Sequence, residues 1–363
     1  MFQTLRDWVP PPHWTKITAI DAHAAGEPLR IIVDGIPQLS GETMLARQRT
    51  ASNRFVTLRT SLMWEPRGHR EMFGCILTPP VSENADFGVI FMHNDGYGAM
   101  CGHGIIAVST VAVETGLIPS QDGDTLLQID TPAGLVRARA RVSDHRVRSV
   151  SFRNVPSFVL ALDRTVDIPG LGCIRYDLAF GGCLYAYVQA ESLRLRCLKE
   201  EYAALRDKGM IIKRAVMAEI PVLLPDQTHL SSLHGVIFIA PPREEEANSR
   251  NTCVFANGQV DRSPTGTGVS GRLAIAYARG EIGIGDALVI ESILGSRFTG
   301  RVVGAEKFGA YSAVITEVEG SAHITGIHQF LVDPDDDLAA GFLLTESSVQ
   351  HHERGKVRRR RSR

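Results

Sequence analysis

Cys101 and Thr265 head two stretches whose residue types could do chemistry, Met100–Gly116 (MCGHGIIAVSTVAVETG) and Thr265–Gly280 (TGTGVSGRLAIAYARG). Laying Cys101 on Thr265, an offset of 164 residues, puts Gly102 on Gly266, Gly104 on Gly268, Ala112 on Ala276 and Gly116 on Gly280. Upstream, Phe91 in VIFM meets Phe255 in CVFA. A glycine-rich turn opening a helix leaves backbone N–H groups unpaired, and with the helix dipole these form an anion site. The same field favours a thiolate. The expectation is therefore a Cys101 base that stays charged near neutral pH. A threonine hydroxyl with no base beside it in sequence cannot take that role. Two such turns could hold one small anionic substrate between them. The plain alternative, a cysteine buried as an apolar filler, gives no reason for two matched turns.

The elements that must position these turns repeat as well. Each copy reads as an apolar strand, a polar loop, a small-residue turn and an apolar helix stopped at glycine. LVIESILGSRFTGRVV resembles LLQIDTPAGLVRARA at a similar offset, with Ile290 falling 161 residues after Ile129. Near the start, ITAIDAH (17–23) and LRIIVDG read as strands joined by a turn at Ala25-Gly26-Glu27-Pro28. Residues 41–63 suggest one helix, with Arg47, Gln48, Arg49 and Arg54 on a solvated face. EPRGHREMFGCILTPP turns at Gly68, near His69, Arg70 and Phe73, and becomes a strand. His93 reads as a loop residue. Residues 148–161 and 174–190 add strands, and the glycine pair in Phe180-Gly181-Gly182-Cys183 suggests a close approach to the backbone. Residues 191–218 read as a helix and 241–251 as an exposed loop. The strand from His323 to Phe330 begins a third copy, most simply returning to the first half.

The length of 363 residues fits two domains, each able to bury a core. A formal net charge of −1 points to neither nucleic acid nor membrane, and no apolar run reaches spanning length. The first residues lack the apolar segment of a signal peptide. Six scattered cysteines, with no CxxC pair and no Cys/His cluster at zinc spacing, argue against disulfides and a structural metal. A reduced cytoplasmic protein is the simplest expectation.

MCGHG together with DRSPTGTG resembles the proline racemase family, from DAHAAGEPLRIIVDG near the start to GSAHITG and GFLL near the end. Members that racemise or epimerise carry a cysteine at both turns. Cys101 with Thr265 is similar to the trans-3-hydroxy-L-proline dehydratases of the family, as are EPRGHREM, FGGCLYAYV and VDRSPTG. Where relatives commonly read HTGGEP this chain reads HAAGEP, so Ala24 lacks a hydroxyl. The resemblance implies an α/β fold of two pseudo-symmetric domains, each a curved, mostly antiparallel sheet wrapped round a central helix as in diaminopimelate epimerase, with the active site in the cleft between them. The domains would span residues 16–148 plus 322–345, and 149–321, leaving 346–363 as a basic, unstructured tail.

The resemblance also implies a homodimer acting on hydroxyproline with no cofactor, no metal, no nucleic acid and no membrane. It assigns Cys101 as proton acceptor and Thr265 as its counterpart at the second turn. Backbone groups of Gly102, His103, Gly266 and Thr267 would hold the carboxylate. Asp261 would pair with the ring nitrogen, assisted by His103, and Phe255 and Phe73 would line the ring. The alternative within the family is a proline or hydroxyproline racemase or epimerase. Further readings are a non-catalytic carboxylate binder, for which the thiol has no use, and a cysteine hydrolase, for which no His/Asn arrangement speaks.

Overall fold

Alternating burial along Thr15–Ala24 and a nearly continuous apolar run in Glu27–Asp34 make the opening hairpin, turned at Ala25 and Gly26, both in the left-handed region. The computed structural model describes residues 2–219 and 232–344. The proposed tail, 346–363, lies outside them. Among the described residues eighteen strands join one hydrogen-bonded sheet of an α/β fold with few helices. Most pairings are antiparallel. The strand Ala322–Val332 returns to pair antiparallel with Thr15–Ala24.

The four parallel pairings recur in matched places. Glu27–Asp34 pairs with Phe73–Thr78, and Phe87–His93 with Gly123–Thr131. In the second half Leu184–Gln189 pairs with Leu233–Ala240, and Ser249–Phe255 with Ala287–Glu291. The repeat reaches the loop anchors. Asp130 accepts from the N–H groups of Val81 and Ser82, and Glu291 accepts from those of Arg243 and Glu244. Asp86 accepts from Gln128 N, and Asn248 from Val289 N. A carboxylate that satisfies two loop N–H groups replaces the sheet partners they lack.

Two helices sit inside this sheet. In Gly102–Glu114 every residue from Gly102 to Val113 is buried. In Gly266–Ala278 most are, with Arg272 and Tyr277 half-buried and Ala278 exposed. A helix that is apolar all round belongs in an interior. The first packs against Thr15–Ala24, Arg146–Arg153 and Ala322–Val332, the second against Ser157–Ile168, Gly172–Phe180 and Tyr311–Gly320. Among the described residues no helix is long and apolar enough to cross a membrane.

Three local expectations need correction. Residues 41–63 form two helices, Met44–Arg54 and Val56–Met63, broken at Phe55, whose ψ of 30° departs from helix. Arg47 is not simply solvated: its guanidinium donates to the Pro79 and Gly41 carbonyls and to Thr78. The helix expected from 191 starts only at Tyr202, after two short 3₁₀ turns separated by Arg194 and Cys197 in left-handed conformations. The segment 241–251 is exposed in its middle, but Ser249, Arg250 and Asn251 already belong to the buried strand Ser249–Phe255.

Candidate active site

The two glycine turns meet. A Cβ on Gly102 would lie 2.9 Å from the Gly266 Cα, and one on Gly266 would lie 3.0 Å from the Gly102 Cα. No side chain tolerates that distance to backbone, so the helix starts can abut only because both residues are glycine. Phe152, fully buried, packs beneath the junction. The first backbone bonds of the two helices are Ile105 N to Cys101 O (2.9 Å) and Val269 N to Thr265 O (2.7 Å). The N–H groups of the intervening residues are therefore left without helical acceptors at the point where the helices meet.

Above this junction lies a cavity of about 220 Å³ whose walls include Phe73, Cys101, Gly102, His103, Phe255, Asp261, Thr265, Gly266 and Thr267. Cys101 Sγ is 3.3 Å from His103 Nδ1. Thr265 Oγ1 donates to Asp261 Oδ2 at 2.7 Å, while Asp261 Oδ1 accepts from Ser263 N at 2.7 Å. The threonine hydroxyl thus has a carboxylate beside it after all, four residues upstream, which adjacency in sequence does not reveal. Thr265 holds a φ of 68°, rare for a β-branched residue, where Cys101 is extended at −147°. Phe73 meets His103 edge-on at 4.9 Å and Phe255 at 5.8 Å between ring centroids.

The electrostatics correct a second expectation. Burial holds the Cys101 thiol well above its ordinary value, and the Asp261 and Glu27 carboxylates add to this, although the Gly104 N–H pulls the other way. The helix start alone does not offset this. Desolvation outweighs it, because a buried charge loses more hydration than one N–H restores. Burial also lowers His103, against the attraction of Asp261, so its imidazole favours the neutral form.

Several lining residues had no signal strong enough to select them. His234 stacks on Phe255, 5.4 Å between centroids and 12° between planes, and burial lowers it to about 3. His93, expected as a loop residue, ends the strand Phe87–His93, faces the cavity and is lowered by burial to about 4. Cys183, Tyr185 and Cys253 also line it. The Gly181-Gly182 pair did carry a signal: both glycines lie against Thr267 of the second turn. Tyr185 shares a 2.7 Å hydrogen bond with Thr267 Oγ1. The six cysteines are free thiols. Among the described residues, one trio brings metal-type ligand atoms together, His13 with Asp333 and Asp335, away from this cavity.

These features define an α/β protein built as a repeat, with a thiol and a hydroxyl at two abutting helix starts. The chain belongs to the proline racemase family, whose model matches residues 19–343. A Bacillus cereus protein named trans-3-hydroxy-L-proline dehydratase is 47% identical over 327 residues, 90% of this chain and 98% of the relative. An Acetoanaerobium sticklandii protein named proline racemase is 42% identical over 327 residues, again 90% and 98%. The crystal structure of a hydroxyproline epimerase from Agrobacterium vitis, with bound trans-4-OH-L-proline, matches with a TM-score of 0.86 at 34% identity, covering 93% of this chain and 97% of that one.

Proposed function

We propose that this chain dehydrates trans-3-hydroxy-L-proline to 1-pyrroline-2-carboxylate with no bound cofactor, using Cys101 as the base. The observation that carries the reading is the single thiol at two otherwise matched helix starts: Cys101 at one, Thr265 at the other, with the threonine proton already committed to Asp261. The dehydratase named in Bacillus cereus supports it, and the racemase relative, only slightly less similar, shows why overall identity does not decide.

The α-hydrogen of an amino acid is a very weak acid, so its removal needs charge stabilisation. The free N–H groups of Gly102, His103, Gly266 and Thr267 hold the substrate carboxylate and the charge that develops there. Asp261 pairs with the ring ammonium, with His103 assisting, while Phe73 and Phe255 flank the apolar ring atoms. The bound ammonium also answers the raised Cys101 thiol. A cation beside Asp261 offsets that carboxylate's repulsion of the thiolate, so ligand binding promotes ionisation, and the thiol proton leaves to solvent. In trans-3-hydroxy-L-proline the hydroxyl shares a ring face with the α-hydrogen. Cys101 takes the α-proton; the Cα electron pair forms the C2–C3 double bond and expels the 3-hydroxyl. Cys101 returns its proton to that oxygen, releasing water, and the enamine tautomerises to the cyclic imine. Thr265 lies on the opposite face and orients Asp261.

The same reading includes two pseudo-symmetric domains, 16–148 plus 322–345 and 149–321, with the cleft between them as the site, a homodimer and a cytoplasmic location. The matched parallel pairings and loop anchors support the two-domain part. The test is incubation of purified protein with trans-3-hydroxy-L-proline and no added cofactor. The expected result is a cyclic imine that borohydride reduces to proline. Recovery of epimerised hydroxyproline without imine would replace this reading with the epimerase alternative.

A further inference from the structure

The segment carrying Asp261 is gripped from outside its own half of the repeat. Three successive N–H groups have separate acceptors. Val260 N donates to Glu71 Oε1 at 3.0 Å, Asp261 N to the Cys253 carbonyl at 3.0 Å, and Arg262 N to Glu27 Oε2 at 2.7 Å. The Arg262 guanidinium joins the same two carboxylates, 2.6 Å from Glu71 Oε2 and 3.9 Å from Glu27 Oε2. Tyr202, the first residue of the helix Tyr202–Glu219, donates its hydroxyl to Glu71 Oε1 at 2.9 Å. Glu27 and Glu71 are 1% and 3% exposed, and neither they nor Arg262 nor Tyr202 lines the cavity.

Stability alone is a poor account of this arrangement. Burying two carboxyl groups around one guanidinium costs hydration of order what their attraction returns, burial pushes the Glu27 carboxyl well above the usual range, and apolar packing would stabilise the fold as well. Glu27 Oε1 has no hydrogen-bond partner among the described residues, and Glu71 occupies a left-handed backbone with φ 70°. Costs of this kind persist where geometry must be fixed. What the clamp fixes is visible: it holds the residues on both sides of Asp261, whose own oxygens are tied to Ser263 N and Thr265 Oγ1.

We propose that Glu27, Glu71 and Arg262, with Tyr202 bracing Glu71, are positioning residues, a clamp that holds the Asp261 carboxylate where it meets the ring ammonium of the ligand. The clamp therefore sets affinity for the amine end of the ligand and leaves the carboxylate end untouched. It rests on the role given to Asp261 above. A displacement of half an ångström at a site of this kind is enough to weaken a charge-assisted contact.

The experiment compares two ligands of the same shape, L-proline and (S)-tetrahydrofuran-2-carboxylate, which has a ring oxygen in place of the ammonium. Dissociation constants are measured for wild type, Glu71→Gln, Arg262→Lys and Tyr202→Phe. Wild type should prefer proline. Glu71→Gln and Arg262→Lys should weaken proline about tenfold or more while changing the furan acid less than about threefold, and Tyr202→Phe should weaken proline about threefold while leaving the furan acid unchanged within error. With trans-3-hydroxy-L-proline as substrate, KM should rise more than kcat falls. Tyr202→Phe removes one hydroxyl from a partly buried residue, so it decides the matter if the charge variants do not fold. Equal binding of both ligands by wild type would instead overturn the role of Asp261. A wild type that discriminates, with folded variants that keep the same ratio or lose both ligands alike, overturns the clamp.

Discussion

The two glycine turns share a backbone plan and differ at the residue that opens them. Both helices start at a glycine, their first glycines touch, and their loops are anchored by matched carboxylates. Yet Cys101 enters its helix extended, as N-cap residues do, with its sulfur 3.3 Å from His103, whereas Thr265 enters at φ 68° with its hydroxyl given to Asp261. The difference teaches what each half contributes. On the proposed mechanism backbone N–H groups of both turns hold the substrate carboxylate, so the anion site is symmetric; the ionisable side chain comes from one, so the acid–base chemistry is not.

The largest break in the comparison comes from making the first turn resemble the second. Cys101→Ser replaces an ionisable thiol by a hydroxyl that stays protonated. Turnover of trans-3-hydroxy-L-proline should fall about 10²- to 10⁴-fold while ligand binding persists. A folded variant that keeps more than a few per cent of wild-type turnover removes Cys101 from the role of base.

The raised Cys101 thiol gives a second test, in the free enzyme. Only the thiolate alkylates. With the group held above its ordinary value of 9.0, the thiolate fraction at neutral pH is small and grows about tenfold per pH unit until the pKa is passed. Iodoacetamide labelling at Cys101, followed by peptide mass spectrometry, should therefore keep rising beyond pH 9. A plateau near neutral pH would mean that the helix start wins over burial.

In the proposed mechanism Asp261 is the point where the second turn meets the ligand's charge. Asp261→Asn keeps the shape and loses the charge, so KM for the hydroxyproline should rise about tenfold or more, the worth of one charge-assisted hydrogen bond. Unchanged constants would mean that the ring amine is held elsewhere.

What was legible in the sequence was whatever the repeat wrote twice: the strand, loop, turn and helix around Cys101 and Thr265, and the pairing of Gly102 with Gly266. Single occurrences were harder to read. His234 reaches the cavity through register, since its neighbour Gly235 pairs with Phe255 across two strands. Cys253 does so through the same strand pair. No local spacing encodes such cross-strand proximity. The bonds on either side of Asp261, from Glu71 to Val260 and from Glu27 to Arg262, join residues more than 180 positions apart. The raised thiol of Cys101 is hidden for a related reason: a helix start is visible in the sequence, and the depth of burial that opposes it is not.

The finest test restores the missing symmetry. Thr265→Cys puts a thiol at both helix starts. Cysteine is unbranched at Cβ and suits a φ of 68° no worse than threonine, so the turn should fold. The gain will be small, for two reasons visible in the site. Asp261 loses the hydroxyl that binds Oδ2 at 2.7 Å, because a thiol is a weak donor, and its charge opposes ionisation of the new sulfur. A bound ring ammonium relieves that opposition, as at Cys101. Proline has no 3-hydroxyl to expel, so a carbanion formed by Cys101 can only be reprotonated, and reprotonation from the second turn gives the D-enantiomer. The variant should therefore show slow racemisation of L-proline, read by chiral chromatography together with deuterium uptake at the α-carbon in D₂O, and the wild type should show none. If the folded variant exchanges the α-hydrogen while the recovered proline stays wholly L, the two turns do not address opposite faces of that carbon, and the symmetry of the backbone does not extend to the chemistry.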